Sequence, residues 1–140
     1  MRATSDEIHA RPAGAKRATL QARSIHRATQ FRGTMCKLIV VLYRRQDFTR
    51  ERFLEYLRDV HGAMADRLPD LVAYRQNHVV EDTTRRDPGW DAVIELYWDS
   101  RDAMESAWRT PEGQAATADL AVFADLDRTS WSIVEEQVRR

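Results

Sequence analysis

The run Cys36-Lys37-Leu38-Ile39-Val40-Val41-Leu42-Tyr43 carries β-branched and other apolar side chains at both odd and even positions. A strand alternates its side chains between the two faces of a sheet, so this run is apolar on both faces and reads as a central strand. Both faces of the sheet that contains it then need cover.

Working outward, Asp47 and Thr49 supply helix-start chemistry, and Phe53, Leu57, Val60, Met64 and Leu68 recur at helical spacing as far as Pro69. Leu71 to Val80 reads as a second strand, and Glu81 to Gly89 as a polar loop ending in the turn signal Asp87-Pro88-Gly89. Trp90 to Trp98 reads as a third strand. One of its faces carries Trp90, Ala92, Ile94, Leu96 and Trp98; the other carries Asp91, Val93, Glu95 and Tyr97. Ser100 can cap a helix containing Ala103, Met104, Ala107 and Trp108. Thr110-Pro111-Glu112 opens a further turn or helix, whose apolar face continues through Ala116, Leu120 and Phe123. Thr129 to Val138 alternates again and makes a fourth strand.

The order β-α-β-β-α-β predicts an α+β, ferredoxin-like fold: a four-stranded antiparallel sheet with its helices on one face. Two helices cover only that face. The Ile39, Val41 and Tyr43 stripe on the other predicts a homodimer formed sheet to sheet, because leaving the face wet forfeits about 25 cal/mol per Å². The plainer alternative is that the stripe is ordinary surface.

Composition narrows the function classes. No apolar run approaches the ~20 residues that cross a bilayer, which argues against membrane insertion. The single cysteine, Cys36, excludes an internal disulfide, a zinc ribbon and an iron–sulfur cluster. It requires no oxidising compartment, and a cytoplasmic location is expected. Residues 1–34 hold seven Arg/Lys against Asp6 and Glu7, whereas residues 35–140 hold 15 bases and 20 acids. The part expected to fold is therefore acidic, which argues against nucleic acid as its partner. Residues 1–34 have few large apolar side chains and are expected to be a disordered basic extension, with the domain at 35–140. Two other readings stand beside that one: a start at Met35, and an Arg-rich transit peptide.

From Met35 onward the sequence resembles the EthD family. The resemblance is carried by Lys37 to Tyr43, Phe53 to His61 (FLEYLRDVH), Leu68-Pro69-Asp70-Leu71, Val93 to Trp98 (VIELYW), Thr110 to Ala115 (TPEGQA), Ala118-Asp119-Leu120 and Phe123-Ala124-Asp125. It implies a small dimeric α+β barrel protein, of a kind labelled reductase or oxidoreductase. A neighbouring branch, similar in the helix-end His and the following turn, isomerises methylmuconolactones without a cofactor. This sequence departs from the family where a Pro commonly stands two residues after the His. Gly62-Ala63 follow His61 here, which bears on the shape of the pocket entrance.

His61 borders the apolar helix face, where a neutral imidazole can act as a general base near pH 7, or can be a capping or core histidine. Glu95 and Tyr97 interrupt the third strand with polar groups and are grouped with His61 as candidate catalytic residues. Tyr74 and His78 share a face of the second strand with Gln76. With Tyr43, Trp90 and Trp98 they are candidate walls of a small-molecule pocket, the alternative being cross-strand pairs and plain core. No G-x-G-x-x-G, P-loop or G-x-S-x-G motif occurs, and no metal spacing motif, so no cofactor and no metal are expected. Two functions follow. One is a cofactor-independent enzyme, an oxygenase, isomerase or lyase, moving a proton on a small, largely apolar aromatic, lactone or ether-derived molecule. The other is a non-catalytic dimeric binding or accessory protein of a degradation pathway.

Overall fold

In the computed structural model, which describes residues 35–85 and 89–140, β1 (Cys36–Leu42) lies inside the sheet, as its two apolar faces require. It pairs antiparallel with β3 (Ala92–Trp98) on one side and with β4 (Ser130–Val134) on the other. β2 (Ala73–His78) pairs antiparallel with the outer edge of β3, giving the order β2-β3-β1-β4. This is the expected ferredoxin-like α+β arrangement. The basic segment 1–34 and residues 86–88 of the expected loop lie outside the described residues.

Each strand is shorter than its apolar run, because a ladder ends where its partner ends. β3 stops at Trp98, where Asp99 and Ser100 begin a helix, so β2 pairs only as far back as Ala73. One backbone bond, from the Val72 N–H to the Tyr97 carbonyl (2.8 Å), extends beyond it. β4 pairs with β1 only from Ser130 to Val134, since β1 begins at Cys36.

The helices begin where the sequence places their caps. Thr49 accepts from the Arg52 N–H (3.2 Å), Ser100 from Ala103 (3.1 Å) and Thr110 from Gly113 (3.1 Å), satisfying amide groups that have no partner inside the helix. They open α1 (Arg50–Tyr56), α3 (Arg101–Arg109) and α4 (Pro111–Phe123). α3 and α4 meet so closely that a Cβ on Gly113 would fall 2.6 Å from Trp108 Cα.

The first helix corrects the spacing read from the sequence. α1 runs through a π-helical turn, Leu57–His61, into the short α2 (Gly62–Ala65). A π turn holds one residue more than an α turn. The inward position that follows Leu57 therefore passes from Val60, which is 45 % exposed, to His61, which is buried. The buried stripe is Phe53, Leu57, His61, Ala65 and Leu68.

Even-numbered side chains of β1 and β3 meet the helices. Leu38, Leu42, Ile94, Leu96 and Trp98 form one core with Phe53, Leu57 and Phe123. Odd-numbered positions (Lys37, Ile39 and Val41, with Val93, Glu95 and Tyr97) form the opposite face of the sheet. No helix among the described residues is long and apolar enough to cross a membrane.

Candidate active site

Between the sheet and the helices lies a cavity of about 440 Å³ with mostly apolar walls, supplied by residues such as Leu38, Ile94, Leu96, Met104 and Trp108. Its titratable wall groups are His61 and Tyr74. The π turn delivers His61, and the parity of β2 delivers Tyr74 to the helix side of the sheet.

His61 is held by a carboxylate from another helix. Its Nδ1 lies 2.9 Å from Oδ2 of Asp119 on α4, and the second oxygen of Asp119 accepts from the Tyr56 hydroxyl at 2.7 Å. The imidazole rests on the Phe123 ring, with centroids 5.0 Å apart. Burial pulls the His61 pKa below its usual 6.5, against the opposing pull of Asp119, so the ring is neutral at pH 7. A carboxylate only accepts hydrogen bonds, so the proton of the neutral ring sits on Nδ1. Nε2 then carries a free lone pair. Burial first, and Asp119 second, push the Tyr56 hydroxyl up to about 12, which keeps it a donor to that carboxylate.

A second polar group surrounds Tyr74. The Gln76 amide nitrogen lies 2.8 Å from the Tyr74 oxygen and 3.0 Å from the Leu57 carbonyl, while His78 Nε2 lies 2.8 Å from the Gln76 oxygen. That Leu57 carbonyl belongs to the π turn and also accepts from the Gly62 N–H. A Cβ at position 62 would stand 2.7 Å from the Gln76 nitrogen, so glycine after His61 leaves the amide its place. Burial raises the Tyr74 hydroxyl to about 12.

The remaining candidate residues are not brought to His61. Glu95 and Tyr97 point to the face of the sheet opposite His61, so the structure does not bring them together with it: the two-residue period of β3 puts the sheet itself between them. There Glu95 meets Lys37 (2.8 Å), Asn77 (3.0 Å) and the Tyr97 hydroxyl (3.1 Å), and Lys37 also meets Glu136 (2.9 Å). Burial would raise the Glu95 carboxyl, but Lys37 and Asn77 outweigh it and hold the group below its ordinary value. Trp98 is fully buried core, its Nε1–H donating to the Pro69 carbonyl. Tyr43 lies under the Arg128 guanidinium, 4.2 Å away, and Trp90 is 41 % exposed. None of these three lines the cavity, and His78 reaches it only through Gln76. Two residues that the sequence reading does not single out as candidates, Asp119 and Tyr56, complete the site. The available signal was a lone acid on the Ala116, Leu120 and Phe123 stripe. Among the described residues no group of three His, Cys, Asp or Glu side chains is arranged to hold a metal ion.

Comparison with known proteins follows the fold. A family model described as the EthD domain matches residues 45–127, more than half of the chain. A crystal structure of an EthD family protein from Bacillus halodurans C-125 is similar at 25 % identity and a TM-score of 0.63. The match covers 74 % of this chain and 99 % of that one. A dimeric ferredoxin-like protein of unknown function from Bacteroides fragilis aligns at 19 % identity and a TM-score of 0.55, covering 74 % of this chain and 97 % of that one. SnoaB from Streptomyces nogalater, a cofactor-independent oxygenase, aligns at 12 % identity and a TM-score of 0.52, covering 76 % and 95 %. At those lower identities the likeness concerns the fold alone. Among curated proteins there is no match.

Proposed function

The chain belongs to the EthD family, and from that premise we propose that it is an enzyme that moves a proton on a small, largely apolar carbonyl compound, with His61 as the base. One observation carries the proposal: a neutral imidazole whose Nδ1–H is tied to Asp119 and whose Nε2 lone pair remains over in an apolar cavity. Such a group suits abstraction of a proton from carbon beside a carbonyl. The C–H bond breaks, its proton goes to Nε2, and the electron pair moves onto the carbonyl oxygen as an enolate. Asp119 stabilises the imidazolium that forms, and Tyr56 keeps Asp119 in place. Return of the proton to a different carbon is isomerisation. Where dioxygen is the co-substrate, it takes the carbanion's electron pair, a C–O bond forms, and the resulting peroxide anion takes the proton back from the His61 imidazolium to give a hydroperoxide. That is the oxygenase form of the same first step, and SnoaB, an oxygenase of this fold, supports keeping it in view.

We further propose that the protein works as a homodimer. Met35, Val72, Ala73 and Tyr97 form an apolar cluster on the sheet face away from the helices, beside Ile39 and Val41, and a second copy is its natural cover. The dimeric ferredoxin-like protein of Bacteroides fragilis is consistent with this.

The test is a panel of small apolar ketones and lactones incubated with the protein in D2O, read by mass spectrometry for deuterium at the acidic carbon, with and without oxygen. Deuteration or turnover that vanishes in His61→Ala supports the base. Full turnover in that variant overturns it, and ligand-induced thermal stabilisation with no exchange in any compound replaces it with ligand carriage.

A further inference from the structure

We infer that the Tyr74 hydroxyl donates the hydrogen bond that holds a ligand's carbonyl oxygen in the cavity, and that Gln76 is the positioning residue that turns it that way. The inference rests on the carbonyl chemistry proposed for His61, and it adds the group that receives the displaced charge.

The direction of each bond follows from hydrogen-bond accounting. The Leu57 carbonyl can only accept, so the Gln76 nitrogen must be the atom that faces it at 3.0 Å. The same nitrogen lies 2.8 Å from Tyr74, so its two hydrogens are committed to Leu57 and to the Tyr74 oxygen. The Gln76 oxygen is thereby left to His78, which donates to it from Nε2. Tyr74 is consequently an acceptor toward Gln76, and its own O–H hydrogen is committed to no described residue. Thr117, the other hydroxyl lining the cavity, already donates to the Gly113 carbonyl at 2.9 Å. The hydroxyl of Tyr74 is raised to about 12, so it keeps its proton across the neutral range.

Among the described residues the cavity therefore offers an imidazole lone pair, at His61 Nε2, and an uncommitted hydroxyl proton, at Tyr74, within mostly apolar walls. That pattern suits an apolar molecule with a carbonyl oxygen and an acidic neighbouring C–H. A donor already aimed at the oxygen where negative charge develops needs no reorientation during the reaction.

The probes are 2-indanone and indane, which share a carbon skeleton and differ in the oxygen, titrated by calorimetry. Tyr74→Phe is expected to weaken 2-indanone about tenfold and indane less than about twofold, the size of one hydrogen bond. Gln76→Glu puts an acceptor-only group beside Tyr74 and draws the hydroxyl proton toward itself. It should cause the same selective loss with Tyr74 still present, whereas mere loosening of the cavity would weaken both ligands alike. Equal effects on the two probes in Tyr74→Phe, or none, overturn the inference. Binding and deuterium exchange separate it from the role of His61. A wild-type protein that discriminates through Tyr74 but exchanges no deuterium leaves the donor standing and removes the base. A wild-type protein that binds neither probe overturns both.

Discussion

The two faces of the sheet each carry a network of polar groups, and the networks differ in what they leave over. On the open face Lys37, Asn77 and Tyr97 all bond the Glu95 carboxylate, Arg75 donates to the Tyr97 hydroxyl and Glu136 meets Lys37 at the edge, so the carboxylate and the phenol are spent on their neighbours. On the helix face Tyr56, Asp119 and His61 also bond one another, but the chain of bonds ends at a nitrogen that no other described residue bonds. Tyr74 repeats the pattern with an uncommitted hydrogen. A polar group in apolar surroundings is therefore weak evidence of a site by itself. An unused donor or acceptor facing a cavity is stronger.

The sharpest way to break the comparison is to remove the end of the helix-side chain. His61→Ala is expected to lower the rate of deuterium exchange into a carbonyl probe by about 10²–10⁴-fold, the range for a general base. Asp119→Asn removes the carboxylate that fixes the Nδ1 proton, and should slow the same exchange by roughly 10²-fold. Because Asp119 pulls the His61 pKa upward, the acid limb of the rate profile should also move to lower pH in that variant. A rate and profile like wild type would mean that the carboxylate is only structural.

Stability gives a third measurement. Burial sets the folded pKa of His61 below its unfolded value of 6.5, so the unfolded chain binds the proton more readily. His61 should contribute full stability above about pH 6.5 and lose it as the pH falls toward the folded pKa. Denaturation curves of wild type and His61→Phe across this window should diverge on acidification, with wild type losing more. Parallel curves would mean that folding leaves the His61 pKa unshifted, and a gain by wild type on acidification would mean that the fold holds the ring charged.

Gly62→Ala probes the support of Tyr74. The added carbon meets the flexible Gln76 amide, so the amide must move. A net loss of about 1 kcal/mol is expected, read as a fall in melting temperature of ~4–8 °C. The smallest effect belongs to the open face. Glu95→Gln should leave exchange within about twofold of wild type while weakening the Lys37 circuit. A large loss of turnover there would break the comparison outright, since the sheet separates Glu95 from the cavity.

Much of this arrangement was legible in the residues. The two-sided apolarity of β1, the caps Thr49, Ser100 and Thr110, and the placing of Tyr74, Gln76 and His78 on one side of β2 all follow from local rules. Even the separation of Glu95 from His61 was implicit, because strand parity already put Glu95 opposite Ile94 and Leu96. The Asp119–His61 contact was not legible, because it joins two helices across 58 positions of sequence. The π turn was hidden for a different reason: Leu-Arg-Asp-Val-His has a composition that an ordinary helix would also accept.

That turn makes the aim of the imidazole a matter of counting. Deleting one exposed residue between Leu57 and His61, such as Asp59, would restore α spacing and keep His61 near the inward position. Every residue after it would then keep its facing relative to α1, because the π turn is what holds the extra residue. Adding a residue would swing the ring away instead. The site therefore absorbs the loss of one residue at this point but not the gain of one. Alignments that slide a gap through this stretch would match the wrong side chain to the base.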